Sequence, residues 1–348
     1  MFNWKEFERT KIVLSQMSSY QEQAGQHHVS LRPMDLRRWM ELASEDLGFL
    51  VLVELAGVDL SDVPESKYDF ELVYHLLNME THQRLHLHLF VDQDETVPSI
   101  RDFYLHADWL EREQHEALGI RFSRDMSSLL LPQGQTLYPL RKKSLTNKWP
   151  FDPIKLAPPL RINANKSEAP YPEESWKWKS FDLFSPQTRG DFEWLVCFDP
   201  VQVVDSQVNV GFHHQGFEKL LERKDWQQIL QLVEKINLGA APTYGIAWAK
   251  NLEDLLRIKI PERAQAIRIL ALELARIAEH LTVLHETTYA MACDEHRLFL
   301  NAREKIYELM EKYCGRRQGL GVVRLGGVKE DLPHGWIVEY QAVCELIQ

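Results

Sequence analysis

The sequence predicts an α+β protein in two parts: a mixed first domain, then a mainly helical second domain that opens on a small β-sheet. Three observations carry that prediction. Leu85, Leu87 and Leu89 alternate with His86 and His88 in RLHLHLFV (84–91), the two-residue period of a strand with one buried face. Ile267, Leu270, Leu274, Ile277, Leu281 and Leu284 recur at three- and four-residue steps within 261–294, the period of a helix packed on one side. Between these signals, residues 144–180 concentrate proline without any period. The expected boundaries are therefore 1–143, a proline- and tryptophan-rich connector over 144–180, and 181–348.

In the first part, DLRRWMELASED (35–46) places Leu36, Trp39, Met40 and Ala43 on one helical face. LGFLVLVELAGV, from Leu47, reads as a buried strand; interrupted by Glu54, it falls short of the roughly 20 apolar residues of a membrane span. FELVYHLLNME, from Phe70, reads as a strand entering a turn. His86 and His88 are expected on a solvent-facing polar side; paired histidines on a strand can bind metal, but no third ligand stands near them in the sequence. Residues 107–120 predict a helix closed by Gly119.

Within the connector, Trp149, Trp176 and Trp178 predict contact with an apolar surface. DFEWLVCFDPVQVVDSQVNVGF (191–212) reads as a hairpin around Asp199-Pro200, and FEKLLERKDWQQILQLVEKI, from Phe217, as a helix. Pro261 suits the first turn of the long helix, where its missing N–H costs nothing. A further helix is expected from Leu298 to Tyr313. RLGGVKEDLPHGW (324–336) then crowds glycine, charge, proline and tryptophan into one turn.

Composition excludes several classes. A net charge of -11 opposes sequence-independent nucleic-acid binding, which needs a basic surface to displace counterions. MFNWKEFERTK lacks the apolar region of a secretory signal, so a cytoplasmic setting with reduced cysteines is expected. Cys197, Cys293, Cys314 and Cys344 form no CxxC pair, so this chain alone builds no zinc ribbon and no thiolate-ligated cluster, and no metal ligands are nominated. Glu111 with Glu113, and Glu262 with Glu273, are expected on surface helix faces in ion pairs. GLGVVRLGG lacks the strand–GxGxxG–helix order of a dinucleotide loop.

Several segments together carry a family resemblance. WLEREQHEALGIRF (109–122), LLLP (129–132) and PLRKK (139–143) resemble the C subunit of respiratory complex I. VGFHHQGFEKLLE (210–222), IPERAQAIRILALELARIAEHL (260–281) and RLGGVKEDLPHGW resemble its D subunit. Their order resembles the fused C/D subunit of bacterial NADH:quinone oxidoreductase, a layout shared with group-four membrane-bound hydrogenases. The resemblance implies a C-type α+β domain followed by a D-type domain related to nickel–iron hydrogenase large subunits, with a small sheet and a helical bundle.

The resemblance also implies roles. The glycine turn lies near the subunit that carries the terminal iron–sulfur cluster, with Lys235, Arg324, Gly326 and Gly327 on that side. Gly326 and Gly327 are expected to permit positive φ and close backbone approach, and Pro333 and Trp336 to fix the exit. The family's quinone-site histidine falls on Arg189 and its tyrosine on Leu238, so the site is expected to be degenerate. Tyr244 or the pair His213-His214 are the substitutes, with His214, at the family's HRG position, read first as a structural core residue. Gly319-Leu320 occupy the region of a further family histidine, and the family's D module continues well past the glycine turn. Implied partners are an iron–sulfur B-type subunit, other peripheral-arm subunits and a membrane module. The cluster and the quinone belong to the complex, none is bound by this chain, and the location is the inner face of the cell membrane. The expected function is scaffolding at that junction. The alternatives are a competent quinone-reducing subunit using Tyr244 and Arg189, or a non-enzymatic assembly or regulatory paralogue. The missing CxxC pairs disfavour a hydrogenase large subunit.

Overall fold

The computed structural model describes residues 4–15, 19–23, 25–124, 126–131, 137–143, 175–181, 190 and 192–347. The chain divides into two compact units, Met1–Glu168 with Gln207–Gly211, and Ala169–Ser206 with Phe212–Gln348.

The first unit holds α1 (Trp4–Ser15), β1 (Tyr20–Gln23), β2 (Gln26–Leu31), α2 (Leu36–Glu41), β3 (Val51–Asp59), β4 (Phe70–Leu77), β5 (Arg84–Val91), β6 (Thr96–Val97), α3 (Ala107–Leu118) and β7 (Arg121–Phe122). Five strands form one sheet in the order β1-β2-β5-β4-β3. β2 runs parallel to β5, whereas β4 is antiparallel to both β5 and β3. The alternation expected from the sequence holds on one side: Leu85, Leu87 and Leu89 join Leu72, Tyr74 and Leu76 in a buried layer with Leu36 and Met40 of α2 and Leu118 of α3. Leu36, Trp39, Met40 and Ala43 are all buried, although the helix relaxes into a π-turn over Leu42–Asp46. Gly119 closes α3 at φ +80°, and an added Cβ there would lie 2.6 Å from the Tyr138 ring, so both conformation and space require glycine.

Two expectations need correction here. The segment from Leu47 is not a wholly buried strand: β3 lies at the sheet edge, so Leu52 and Leu55 are buried while Leu50, Val53 and Val58 are exposed. Glu111 is not a surface residue. It is fully buried, and its carboxylate accepts hydrogen bonds from Ile100 N (2.8 Å) and Ser99 Oγ (2.7 Å). Burial raises its pKa, with those two donors pulling the other way. Glu111→Ala strands both donors, so a loss of about 1–3 kcal/mol in denaturant unfolding of the first unit is expected; a loss below about 0.5 kcal/mol, the usual range for surface substitutions, counts against this role.

A three-stranded sheet, in the second unit up to Ser206, has the order β10-β9-β8, with β8 (Lys177–Phe181), β9 (Glu193–Phe198) and β10 (Val203–Asn209). β8 thus begins within the expected connector. Trp178 is half-buried on it, whereas Trp149 lies outside the described residues. The hairpin at Asp199 forms as read from the sequence: its Oδ1 accepts from Val201 N and Gln202 N, each at 2.7 Å.

The helix expected from Phe217 is two helices, α4 (Phe217–Leu221) and α5 (Trp226–Val233). Asp225 breaks it by capping α5, its carboxylate accepting from Gln227 N (3.1 Å) and Gln228 N (2.8 Å). There follow α6 (Ala241–Leu256), α7 (Glu262–Ala290), α8 (His296–Cys314), the short strands β11 (Val323–Arg324) and β12 (Gly327–Val328), and α9 (Trp336–Ile347). Pro261 is the N-cap of α7, one position before the expected first turn.

The buried face of α7 is also rotated from the leucine stripe. Ile267, Leu274 and Leu281 are buried, but Leu284 is 45% exposed, and Ala264, Ala271, Ala275 and Ala278 complete the packed side. These small residues let α7 approach its neighbours closely, whereas Leu270 and Ile277 are half-buried and Leu284 is exposed. Ile267, Ala271, Leu274, Ala278 and Leu281 share one core with Ile306, Leu309 and Met310 of α8 and with Trp336.

Candidate functional site

The turn over 324–336 is a β-hairpin followed by a docked tryptophan. Val323 pairs with Val328 and Arg324 with Gly327. Only one of the two central glycines uses its freedom: Gly326 has φ +84°, while Gly327 lies in β12 without positive φ, a correction to the expectation for both. An added Cβ on Gly327 would meet Ala264 Cβ at 3.6 Å, ordinary packing contact, so the need for glycine there is weaker. At the exit, Trp336 is buried and donates its indole N–H to Leu309 O at 2.9 Å. It stacks on Tyr340 and meets Tyr313 edge-on, and Arg263 pairs with Asp331 at 2.8 Å, two residues before Pro333.

A buried ion pair holds the hairpin from below. Arg268 of α7 is 4% exposed and Glu253 of α6 is 2% exposed. The guanidinium donates to both carboxylate oxygens, Nη1 to Oε2 at 2.8 Å and Nη2 to Oε1 at 2.7 Å. It also donates to Gly327 O through Nε (3.0 Å) and to Arg324 O through Nη2 (2.7 Å). Glu253 Oε1 in turn accepts from Gly326 N at 2.8 Å. Burial pushes the Glu253 pKa up, but Arg268 and the Gly326 amide outweigh it and hold the carboxyl below its ordinary value. The pair therefore stays ionised and satisfies three backbone groups of the turn.

A second buried carboxylate, from the end of α5, reaches the segment that leads into β11. Glu234, at the C-terminal end of α5, accepts from Gly321 N through Oε2 at 2.8 Å. Sequence reading missed Glu234, Glu253 and Arg268 alike.

The positions nominated by resemblance lie around this construction. Lys235 follows Glu234 directly and is exposed. Leu238 opens a 3-10 turn, capped by Asn237, and is 45% exposed. Tyr244 stands in the first turns of α6, also reaching solvent, and directly precedes Gly245, which faces Glu234. Arg324 is exposed on β11. Arg189 lies outside the described residues. His213 and His214 are both exposed; His214 is thus not a core histidine, and its Nδ1 accepts from Gly216 N at 3.2 Å in a local turn.

In the first unit the histidine expectation also changes. His86 is only 6% exposed, because His28 of β2 and His75 of β4 flank it across the sheet. His75 Nδ1 lies 2.6 Å from His86 Nδ1, and His86 Nε2 lies 2.7 Å from Gln26 Oε1. His28 Nδ1 lies 3.0 Å from His88 Nε2, and His88 Nδ1 donates to Glu71 Oε1 at 2.7 Å. Burial, then the neighbouring imidazoles, push the His86 pKa down to about 3. Among the described residues no group of three or more His, Cys, Asp or Glu is arranged to hold a metal ion. All four cysteines are free, with Cys197 and Cys314 buried. Without CxxC pairs they do not fit a nickel–iron centre. Among the described residues, no helix is long and apolar enough to cross a membrane.

Comparison with known proteins gives this arrangement its context. Residues 29–148 match the family described as Respiratory-chain NADH dehydrogenase, 30 Kd subunit, and residues 292–348 match Respiratory-chain NADH dehydrogenase, 49 Kd subunit. The NADH-quinone oxidoreductase C/D subunit of Bdellovibrio bacteriovorus is 28% identical over 305 residues, covering 86% of this chain and 53% of the relative. That of Acidiphilium cryptum is 30% identical over 313 residues, covering 83% and 52%. The chain thus spans about half the length of the curated relatives it matches. A solved chain of the membrane-bound sulfane sulfur reductase, an archaeal respiratory membrane complex, aligns at TM-score 0.47 and 26% identity over 50% of this chain and 48% of that one.

Proposed function

We propose that this chain, which carries a 30 kDa-type and then a 49 kDa-type segment of respiratory-chain NADH dehydrogenase in the order of the C/D fusion, is a docking subunit of a complex I-type oxidoreductase. That order on a single polypeptide is the observation that carries the reading. In this role the glycine hairpin presents its backbone to an iron–sulfur B-type subunit. The first unit joins other peripheral-arm subunits, and the assembly rests on a membrane module at the cytoplasmic face. Electrons travel through the partner's cluster, and this chain ligates no redox group. The rigid mounting of the hairpin on Glu253 and Arg268 supports the reading, since a turn pinned at Arg324 O, Gly326 N and Gly327 O meets a partner without first having to be ordered.

The quinone site is degenerate in this proposal. Two-electron quinone reduction needs groups that hydrogen-bond the carbonyl oxygens and pass on protons near neutral pH. Leu238 supplies neither, and the guanidinium of Arg189 does not give up its proton. Tyr244 carries a hydroxyl on a side chain that reaches solvent, which keeps a second reading alive, a quinone-reducing subunit with an altered head-group site.

Affinity purification of the tagged chain from membranes of its own cells separates these readings. The expected result is co-purification of an iron–sulfur subunit and membrane subunits, with iron in the assembly and none bound by the chain expressed alone. Stoichiometric iron or nickel on the isolated chain overturns the docking role, and absence from the mature assembly points to the assembly factor instead. Tyr244→Phe in the assembly is expected to leave quinone reduction unchanged; a loss of tenfold or more establishes the quinone-reducing reading.

A further inference from the structure

Glu234 is a buried acid that the docking role does not use. The residue is 2% exposed, and only one of its two oxygens is satisfied: Oε2 accepts from Gly321 N, while Oε1 is buried with no hydrogen-bond partner among the described residues. The space beside Oε1 exists because residue 245 is glycine, since a Cβ there would stand 2.8 Å from that oxygen. The Glu253 carboxylate, by contrast, meets an arginine fork. A carboxylate buried without a cation close against it holds a proton more readily than it would in water.

The charged groups around it do not supply that cation. Arg324 on β11 and Arg316 after α8 favour the ionised form, yet burial outweighs them. On α6, Tyr244 and Lys250 lie on either side of Gly245 in sequence and both are exposed. On α4, Lys219 is paired with Glu222 at 3.1 Å, and Lys235 at the end of α5 is exposed. The pKa of the acid therefore rises to about 7, inside the physiological range.

We propose that Glu234 is a proton-binding site that locks the glycine hairpin. With a proton on Oε1 the side chain is neutral in its packing, and Oε2 holds the Gly321 amide. Loss of that proton leaves a charge between α5, α6 and the segment leading into β11, and this segment loosens. Glu234 is a positioning residue: its proton state sets how firmly Gly321 and the strand after it are presented. That this matters to a cluster-bearing partner rests on the proposed function; the proton site itself does not.

The test uses the purified full chain. Amide hydrogen exchange over 319–328, corrected for the intrinsic pH dependence of exchange, is followed from pH 6 to 8.5. In the wild type, protection is expected to fall by up to about tenfold per pH unit as pH rises to about 7 and to level off above it, the signature of one linked proton. Glu234→Gln keeps an acceptor for Gly321 N and does not titrate, so its protection is expected to stay flat. Infrared difference spectra of the wild type give a second measurement that no folding defect in the variant can obscure: the carbonyl stretch of a protonated carboxylic acid is present at pH 6 and gone at pH 8.5. Equal pH dependence of exchange in both proteins, or no acid band at pH 6, overturns the proposal. If the acid band and the linked loosening appear but the chain captures no iron–sulfur partner at any pH, the proton site stands and the docking role falls.

Discussion

Arg268→Ala is expected to destabilise the second unit by about 3–5 kcal/mol, the cost of removing one partner from a buried ion pair. The size follows from what the guanidinium holds. Glu253 would remain as a buried carboxylate whose remaining donor is Gly326 N, and Gly327 O and Arg324 O would lose the arginine that now donates to both. Solvent cannot compensate, because Arg268 is 4% exposed and Glu253 2%. An exposed pair of the same type, such as Arg263 with Asp331, contributes far less, because solvent screens both charges. Denaturant unfolding, read by hydrogen exchange in α7 and α8 so that the first unit does not confuse the signal, gives the number. Arg268→Met with Glu253→Gln is expected to recover much of the loss, because no buried charge is then left alone. A loss below about 1 kcal/mol for Arg268→Ala places the pair in the surface class and removes the mounting attributed to it.

Glu234, Glu253 and Arg268 were the hardest features to read from the chain, and the reason is physical. A helix period marks which positions turn inward, but a charged residue among them looks like the edge of the polar face. Arg268 follows Ala264 by four positions and precedes Ala271 and Ala275 by three and seven, so its place on the packed side of α7 was written in its spacing to alanines. The leucines drew attention away from that line. Asp225 carried an N-cap signal ahead of Trp226, and the helical pattern on both sides hid it. The glycine hairpin was legible as a special turn, and so was the fixing of its exit by Trp336. What held the turn was not, because Glu234 lies 87 residues from Gly321 and Glu253 lies 73 from Gly326. The strand period of 84–91 likewise predicted two sides correctly. It could not tell that His28 and His75 arrive on the histidine side and turn a wet face into a half-buried one.

That histidine face carries the second large expectation, a loss of stability in the first unit as pH falls below about 6.5. His86 is held down to about 3 by burial, then by His75, His28 and His88. His28 and His75 are lowered as well, burial first and neighbouring charge after it. The unfolded chain thus binds protons that the folded sheet refuses, so the stabilising contribution is present above the unfolded pKa and is lost on acidification. A shift of His86 from 6.5 to about 3 corresponds to at most about 5 kcal/mol at 1.36 kcal/mol per unit. Arg84 on the same strand reinforces the effect. Carboxylates at their ordinary values titrate below about pH 5, so the diagnostic window is about pH 5–6.5, where the three lowered histidines act against Glu111, whose pKa burial raises. His86→Gln retains a polar group towards Gln26 and His75 but cannot charge, and its stability is expected to fall less steeply across that window. Glu234 acts in the opposite sense in the second unit. Its raised pKa adds stability that is complete below the ordinary carboxylate range and lost as pH rises through about 7. Exchange measured separately in the two units is therefore expected to show one weakening with acid and the other with base; a flat first unit across that window, or an unchanged slope in His86→Gln, defeats the assignment to the histidine face.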